Sequence, residues 1–170
     1  MSPRRLQAGF SLLELIVVVV LVILLFSVAA MRLLPLRGEA EKVHVLRVHG
    51  SVQAALALQL SERVLRGKLD GIDELARENP LAWLSHAPPQ APGSGCAALA
   101  AGHWGWCEAN RTLRYQLRYP QYFENLSESA SVLRFRVAVD RDNGQLKRVA
   151  FEALDGLPVL REDIINGRSE

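Results

Sequence analysis

Residues 15–31 read LIVVVVLVILLFSVAAM, seventeen in a row without a charge. Extended back to Phe10 the segment has 22 residues. As an α-helix it is about 33 Å long, enough to cross a hydrocarbon core of about 30 Å. Its many valines and isoleucines make it a mediocre helix in water. In lipid that weakness matters little, because a helix satisfies its own backbone groups where no water can. Arg4 and Arg5 precede the run, so the short N-terminal side stays in the cytoplasm and everything past Met31 lies across the membrane. The whole chain has 170 residues, which leaves room for one ordinary domain beside this segment.

One residue is out of place. Glu14 sits near the start of the apolar segment. A carboxylate costs about 2.5–3.5 kcal/mol at the centre of a membrane helix and less near an interface. Each Leu, Ile, Val or Phe returns about 0.3–0.6 kcal/mol, so the segment inserts despite Glu14. Simple anchoring asks for no acid there, although an interfacial carboxylate with room to snorkel is tolerated. The rest of the composition is ordinary. With 49% hydrophobic and 22% charged residues, the chain is neither disordered nor collagen-like. A formal net charge of +2 is no polyanion-binding signature by itself.

The string Arg4-Arg5-Leu6-Gln7-Ala8-Gly9-Phe10-Ser11-Leu12-Leu13-Glu14-Leu15-Ile16 resembles the leader and N-terminus of the type IV pilin and type II secretion pseudopilin superfamily. That family combines a short basic leader ending in Gly, an aromatic residue after the cut, an acid at the fifth mature position and a long apolar run. Here these are Gly9, Phe10 and Glu14. The resemblance covers only about the first 30 residues. It implies a prepilin peptidase that cuts between Gly9 and Phe10, with N-methylation of Phe10. It also implies an inner-membrane, single-pass chain with a periplasmic head, whose partners are the lipid bilayer, an inner-membrane assembly platform and other pilin or pseudopilin subunits. The mature helix would then enter the core of a pilus or pseudopilus. The Glu14 carboxylate of one subunit and the Phe10 amine of a neighbour are opposite charges in a medium of low dielectric. Unpaired charge is expensive there, so pairing would select the axial register. Loss of Arg4 and Arg5 leaves the remaining basic residues equal in number to the 18 acidic ones. A secretory signal peptide cut near Ser27-Val28-Ala29 is the competing reading, against which stand the length of the apolar run and its acidic start.

Beyond the span, Pro35 and Gly38 mark a place where the helix ends, kinks or loosens. Residues 39–66 contain no Pro and a single Gly, Gly50. Val45, Val48, Val52, Leu56 and Leu60 recur at spacings of three and four, an apolar stripe for a sheet to cover. Residues 67–95 are rich in Gly, Pro and small polar side chains and read as a connecting loop region, with a short helix at 72–78 and Trp83 plugging the loop onto the core. Residues 112–119 alternate, with Leu113, Tyr115, Leu117 and Tyr119 on one face. Residues 132–139 alternate likewise, with Leu133, Phe135, Val137 and Val139. Asp140-Arg141-Asp142-Asn143-Gly144 is a turn signal. Val149, Phe151 and Ala153 continue as a third strand from which Leu146 is out of register, and residues 103–106 form a short earlier strand. The fold class is therefore α+β: a long N-terminal helix, membrane-spanning in its first half, packed on a small antiparallel sheet. The segments are 1–9 leader, 10–34 transmembrane helix, 35–66 amphipathic continuation, 67–95 loop region and 96–170 disulfide loop and sheet head. The WGWC string with the following strand and hairpin resembles minor pilins of the mannose-sensitive haemagglutinin type.

Cys96 and Cys107 are the only cysteines. In a periplasmic or extracellular head disulfides persist. A bridge would close a loop of about twelve residues, worth roughly 3 kcal/mol by loop entropy. His103 lies between them, but two Cys and one His at these spacings match no zinc pattern. His44, His49, His86 and His103 are scattered, and no nucleophile elbow, phosphate-cradling loop or metalloprotease motif is present. Asp140 opens a string like a calcium loop but lacks the downstream Glu. No catalytic residue, metal or cofactor is assigned. If the two alternating strands are neighbours, Arg114, Arg118, Arg134 and Arg136 share the polar sheet face, a possible polyanion surface for nucleic acid. Glu108, Glu124, Glu128 and Glu152 balance it as a solvated face. The sequence thus reads as a prepilin-like structural subunit, a minor pilin or pseudopilin and not an enzyme. The alternative is a membrane-anchored or secreted binding module that never polymerises.

Overall fold

A computed structural model describes residues 11–34, 36–67, 69–91, 95–124 and 131–161. The chain divides into two compact units, Met1–Leu36 and Arg37–Glu170.

In the first unit, α1 spans Leu12–Leu33. Ser11 is its N-cap, with extended backbone, and its hydroxyl accepts the Glu14 backbone N–H at 3.2 Å. A cap of this kind satisfies one of the four donors that a helix start leaves open. Leu34 still has helical dihedrals and donates to the Ala30 carbonyl. The next residue, Pro35, has no N–H to offer and lies outside the described residues.

The second unit is a helix laid on a four-stranded sheet. Helix α2 spans Leu36–Leu65. After it come two 3₁₀ segments, Leu69–Ala76 and Pro80–Trp83. The strands are β1 Trp104–Cys107, β2 Thr112–Gln116, β3 Val132–Asp142 and β4 Gln145–Ala153. Their order in the sheet is β1-β2-β3-β4, all antiparallel. The α+β layout expected from the alternation and the helical stripe is the one found. Strand β2 is shorter than the alternating run that announces it, because the chain leaves the ladder after Gln116. Residues 143 and 144 form the two-residue β3–β4 turn, both left-handed at φ 49° and 80°, as type I′ geometry requires. Leu146 is out of alternation for a stated reason. Arg141 pairs with Leu146 while Asp140 pairs with Arg148, so Lys147 is the extra residue of a bulge. The short helix expected at 72–78 is the 3₁₀ segment Leu69–Ala76, shifted towards the N-terminus.

The helical stripe does what its spacing requires. Val45, Val48, Val52 and Leu56 are buried, and Leu60 packs at the margin. They cover one aromatic from each strand, namely Trp104, Tyr115, Phe135 and Phe151. Ring centroids in this group are 4.7 Å (Trp104–Tyr115), 5.7 Å (Trp104–Phe135) and 5.6 Å (Phe135–Phe151) apart. Each such side chain removed from water contributes about 1.5–3 kcal/mol. Trp83 packs against this core, and its indole N–H donates to Glu78 at 2.9 Å. Glu78 also pairs with Arg63 at 2.6 Å, which ties the 3₁₀ segments to the end of α2.

Helix α1 ends at Leu33 and α2 begins at Leu36, but Gly38 does not end the helix: it lies inside α2 and is buried. A Cβ there would come within 2.7 Å of the Tyr122 Cβ, so the missing side chain is what lets the Pro120–Tyr122 turn close onto the helix.

Candidate functional site

Among the described residues the large apolar side chains of α1 are exposed. Leu12 is 76% exposed, Phe26 75% and Met31 73%. Among the described residues this is the one helix long and apolar enough to cross a membrane. An exposed apolar surface of this extent needs lipid or other helices to cover it. Glu14 stands in its first turn, three residues after the Ser11 cap that accepts its N–H. A negative charge is favourable there, because helix dipoles converge on unsatisfied N–H groups at that end. Gly9 and Phe10, between which the cut is expected, lie outside the described residues. The Ser11-x-x-Glu14 spacing is a helix-start signature that the sequence reading passed over.

In the head, Cys96 and Cys107 are joined in a disulfide with Cα atoms 4.5 Å apart. The bridge holds residues 95–97 against β1, where the Gly95 N–H also donates to the Trp106 carbonyl at 3.1 Å.

The four arginines are only partly brought together. Arg114 and Arg134 are cross-strand partners, and Arg136 follows Arg134 on the same face of β3. Arg118 is not on that face, because β2 ends at Gln116 and the chain turns away. Its guanidinium lies instead against Gly102, where an added Cβ would meet Nη2 at 2.6 Å. Two of the remaining three are engaged locally. Arg114 donates to the Gly95 and Ala97 carbonyls at 2.8 and 3.0 Å. Arg134 grips Asp155 with Nη2 at 2.5 Å and Nε at 3.0 Å. That pairing holds the Asp155 carboxyl below its usual range, chiefly through the hydrogen bond from Arg134. Among the described residues no three His, Cys, Asp or Glu side chains come together as a metal cluster.

The residue that sequence reasoning missed is Glu41. It is only 6% exposed, inside the helix–sheet interface. Its carboxylate accepts from the Arg118 N–H at 2.6 Å, the Tyr119 N–H at 2.9 Å and the Tyr115 hydroxyl at 3.1 Å. These donors satisfy the charge where water cannot. Burial, and then the charge of Glu41, push the Tyr115 hydroxyl well above the usual tyrosine value, so it stays a donor. The signal was present: Glu41 stands four residues before Val45, in phase with the apolar stripe.

His44, one turn on, accepts from the Trp104 indole N–H at 3.3 Å. His49 packs 5.8 Å from Phe135 and 5.2 Å from Phe151, centroid to centroid. Burial pulls both imidazoles below the ordinary 6.5, Glu41 opposing the shift at His44 while Arg47 and Arg118 add to it. The folded head therefore prefers both rings neutral, while the unfolded chain binds protons first as pH falls. Stability is complete above the unfolded value near 6.5 and is lost as pH drops below it. We expect the urea midpoint of the head to fall between pH 7.5 and pH 5, and His44→Gln with His49→Gln to flatten that profile. The Asp155–Arg134 pair, whose carboxyl value is depressed, loses its contribution only in the more acidic window below about pH 4.

The site these features define is an exposed apolar helix, headed by a capped acid, carrying a disulfide-bonded α+β head. Residues 4–30 match the prokaryotic N-terminal methylation motif, the type IV pilin and pseudopilin signature. No curated protein and no solved structure matches the chain. Over these residues the chain is similar to prepilin-type subunits, and the match covers 27 of its 170 residues. The motif implies cleavage by a prepilin peptidase and assembly with other pilin subunits, and with α1 it fits membrane anchoring.

Proposed function

We propose that this chain is a minor pilin or pseudopilin, anchored in the inner membrane with its head in the periplasm before assembly. Maturation cuts between Gly9 and Phe10 and methylates the new Phe10 amine. An assembly platform then withdraws the chain into a pilus or secretion pseudopilus, where Glu14 pairs with the Phe10 amine of a neighbour. The observation that carries this reading is the coincidence of the methylation motif at residues 4–30 with a helix whose apolar side chains are exposed among the described residues.

After cleavage Ser11 becomes the second residue of the mature chain. The cap would then sit immediately beside the new amine, with Glu14 one turn inside. That places a positive amine and a negative carboxylate at one helix end. Each is costly to bury alone, so each favours a counter-charge supplied by the next subunit.

N-terminal sequencing of the mature protein tests the reading directly. We expect it to begin at Phe10. Gly9→Val should retain the leader and disappear from sheared filaments. A mature chain beginning near Ala30, with the helix discarded, would refute it.

A further inference from the structure

Beside the buried Glu41 carboxylate lies an open pocket of about 390 Å³. Arg37, His44, Gly102, Arg118 and Tyr119 line it along with Glu41. Arg37 stands over the Tyr119 ring, 5.9 Å from its centroid. Arg118 lies across Gly102, whose φ of +80° and absent Cβ leave the guanidinium its place. Among the described residues neither guanidinium has a carboxylate within ion-pair distance. Glu41 pairs with neither, since its oxygens accept from the Tyr115 hydroxyl and two backbone N–H groups, and its single charge leaves the two arginines in excess. Two guanidinium forks and an imidazole thus converge on an open space with one acid already satisfied beneath them.

We propose that this pocket binds the phosphate of an anionic lipid headgroup. Arginine forks match phosphate oxygens in pairs, which distinguishes them from point charges. Arg37 is six residues beyond Met31, the last residue of the charge-free run. By chain length alone its Cα lies within about 20 Å of Met31. Headgroups extend about 5–8 Å beyond the hydrocarbon core. With α1 across the bilayer, the Arg37 side chain is therefore tethered within reach of the outer face of the membrane. The inference rests on that spanning reading. A headgroup bound there would hold the subunit at the membrane until assembly withdraws it.

The test uses the full chain in lipid nanodiscs, with hydrogen exchange read at residues 37–44 and 115–119. In phosphatidylglycerol discs exchange there should be slower than in phosphatidylcholine discs. Arg37→Gln and Arg118→Gln should each weaken the dependence on phosphatidylglycerol fraction by about tenfold, the factor set by one charge-assisted contact. Arg66→Gln, just past the opposite end of α2, should leave it unchanged. Inorganic phosphate added to phosphatidylcholine discs separates the sources. If it reproduces the protection, the pocket takes free phosphate and the lipid assignment falls. Equal exchange in the two lipids, with the chain inserted, overturns the pocket alone. Failure to insert into either disc overturns the spanning reading with it.

Discussion

Glu41→Ala is expected to destabilise the head by about 3 kcal/mol or more, because it strands buried donors that each cost about 1–3 kcal/mol unpaired. The three donors are the Arg118 and Tyr119 N–H groups and the Tyr115 hydroxyl. They sit where the chain leaves β2, so losing them frees the Pro120–Tyr122 turn as well. Glu41→Gln should fall between, since one amide oxygen still accepts while the new NH₂ opposes the same donors. Urea unfolding of the full chain in detergent, read by tryptophan fluorescence, measures this cleanly. All three tryptophans, Trp83, Trp104 and Trp106, lie in the head, so the signal excludes α1. An unchanged midpoint for Glu41→Ala would show that water replaces the carboxylate and that the network is ornamental.

The second large effect is expected at the other end of the chain. Glu14→Leu should leave the head's urea midpoint unchanged and should ease insertion, because the cost of an acid in the membrane helix disappears. Yet incorporation into filaments should drop by about tenfold or more, the worth of one charge-assisted contact to a neighbouring amine. Glu14→Asp keeps the charge on a shorter arm and should recover part of the loss. The readout is the ratio of subunit in the sheared filament fraction to subunit left in the membrane. Normal incorporation of Glu14→Leu, with the leader removed, would separate assembly from this charge. The two substitutions thus pull stability and assembly apart, one through the head and one through the helix.

Much of this was legible because period is a direct physical consequence of geometry. The 45-48-52-56 stripe and the two alternating runs fixed which faces are buried, and even the misfit of Leu146 pointed to the bulge. The charge-free run and Glu14 were equally plain. What stayed hidden needed the third dimension. Glu41 falls in phase with the apolar stripe, but what satisfies its charge shows only when the helix is laid on the sheet and the turn after β2 aims two N–H groups at it. Gly38 reads as a helix breaker until Tyr122 is found above it. Arg118 continues the alternation of β2 in sequence, but the chain has left the ladder by then, so the expected row of four arginines breaks at that residue.

The bulge at Lys147 has a consequence for crowding. Among the described residues β4 has no strand on its far side, so its rim is bare. Subunits held shoulder to shoulder at filament density would find in such a rim a ready seam for sideways stitching. Here the seam is interrupted by the extra residue, Lys147, whose charge a second strand laid alongside would have to accommodate. Edge-to-edge pairing of heads is thereby discouraged.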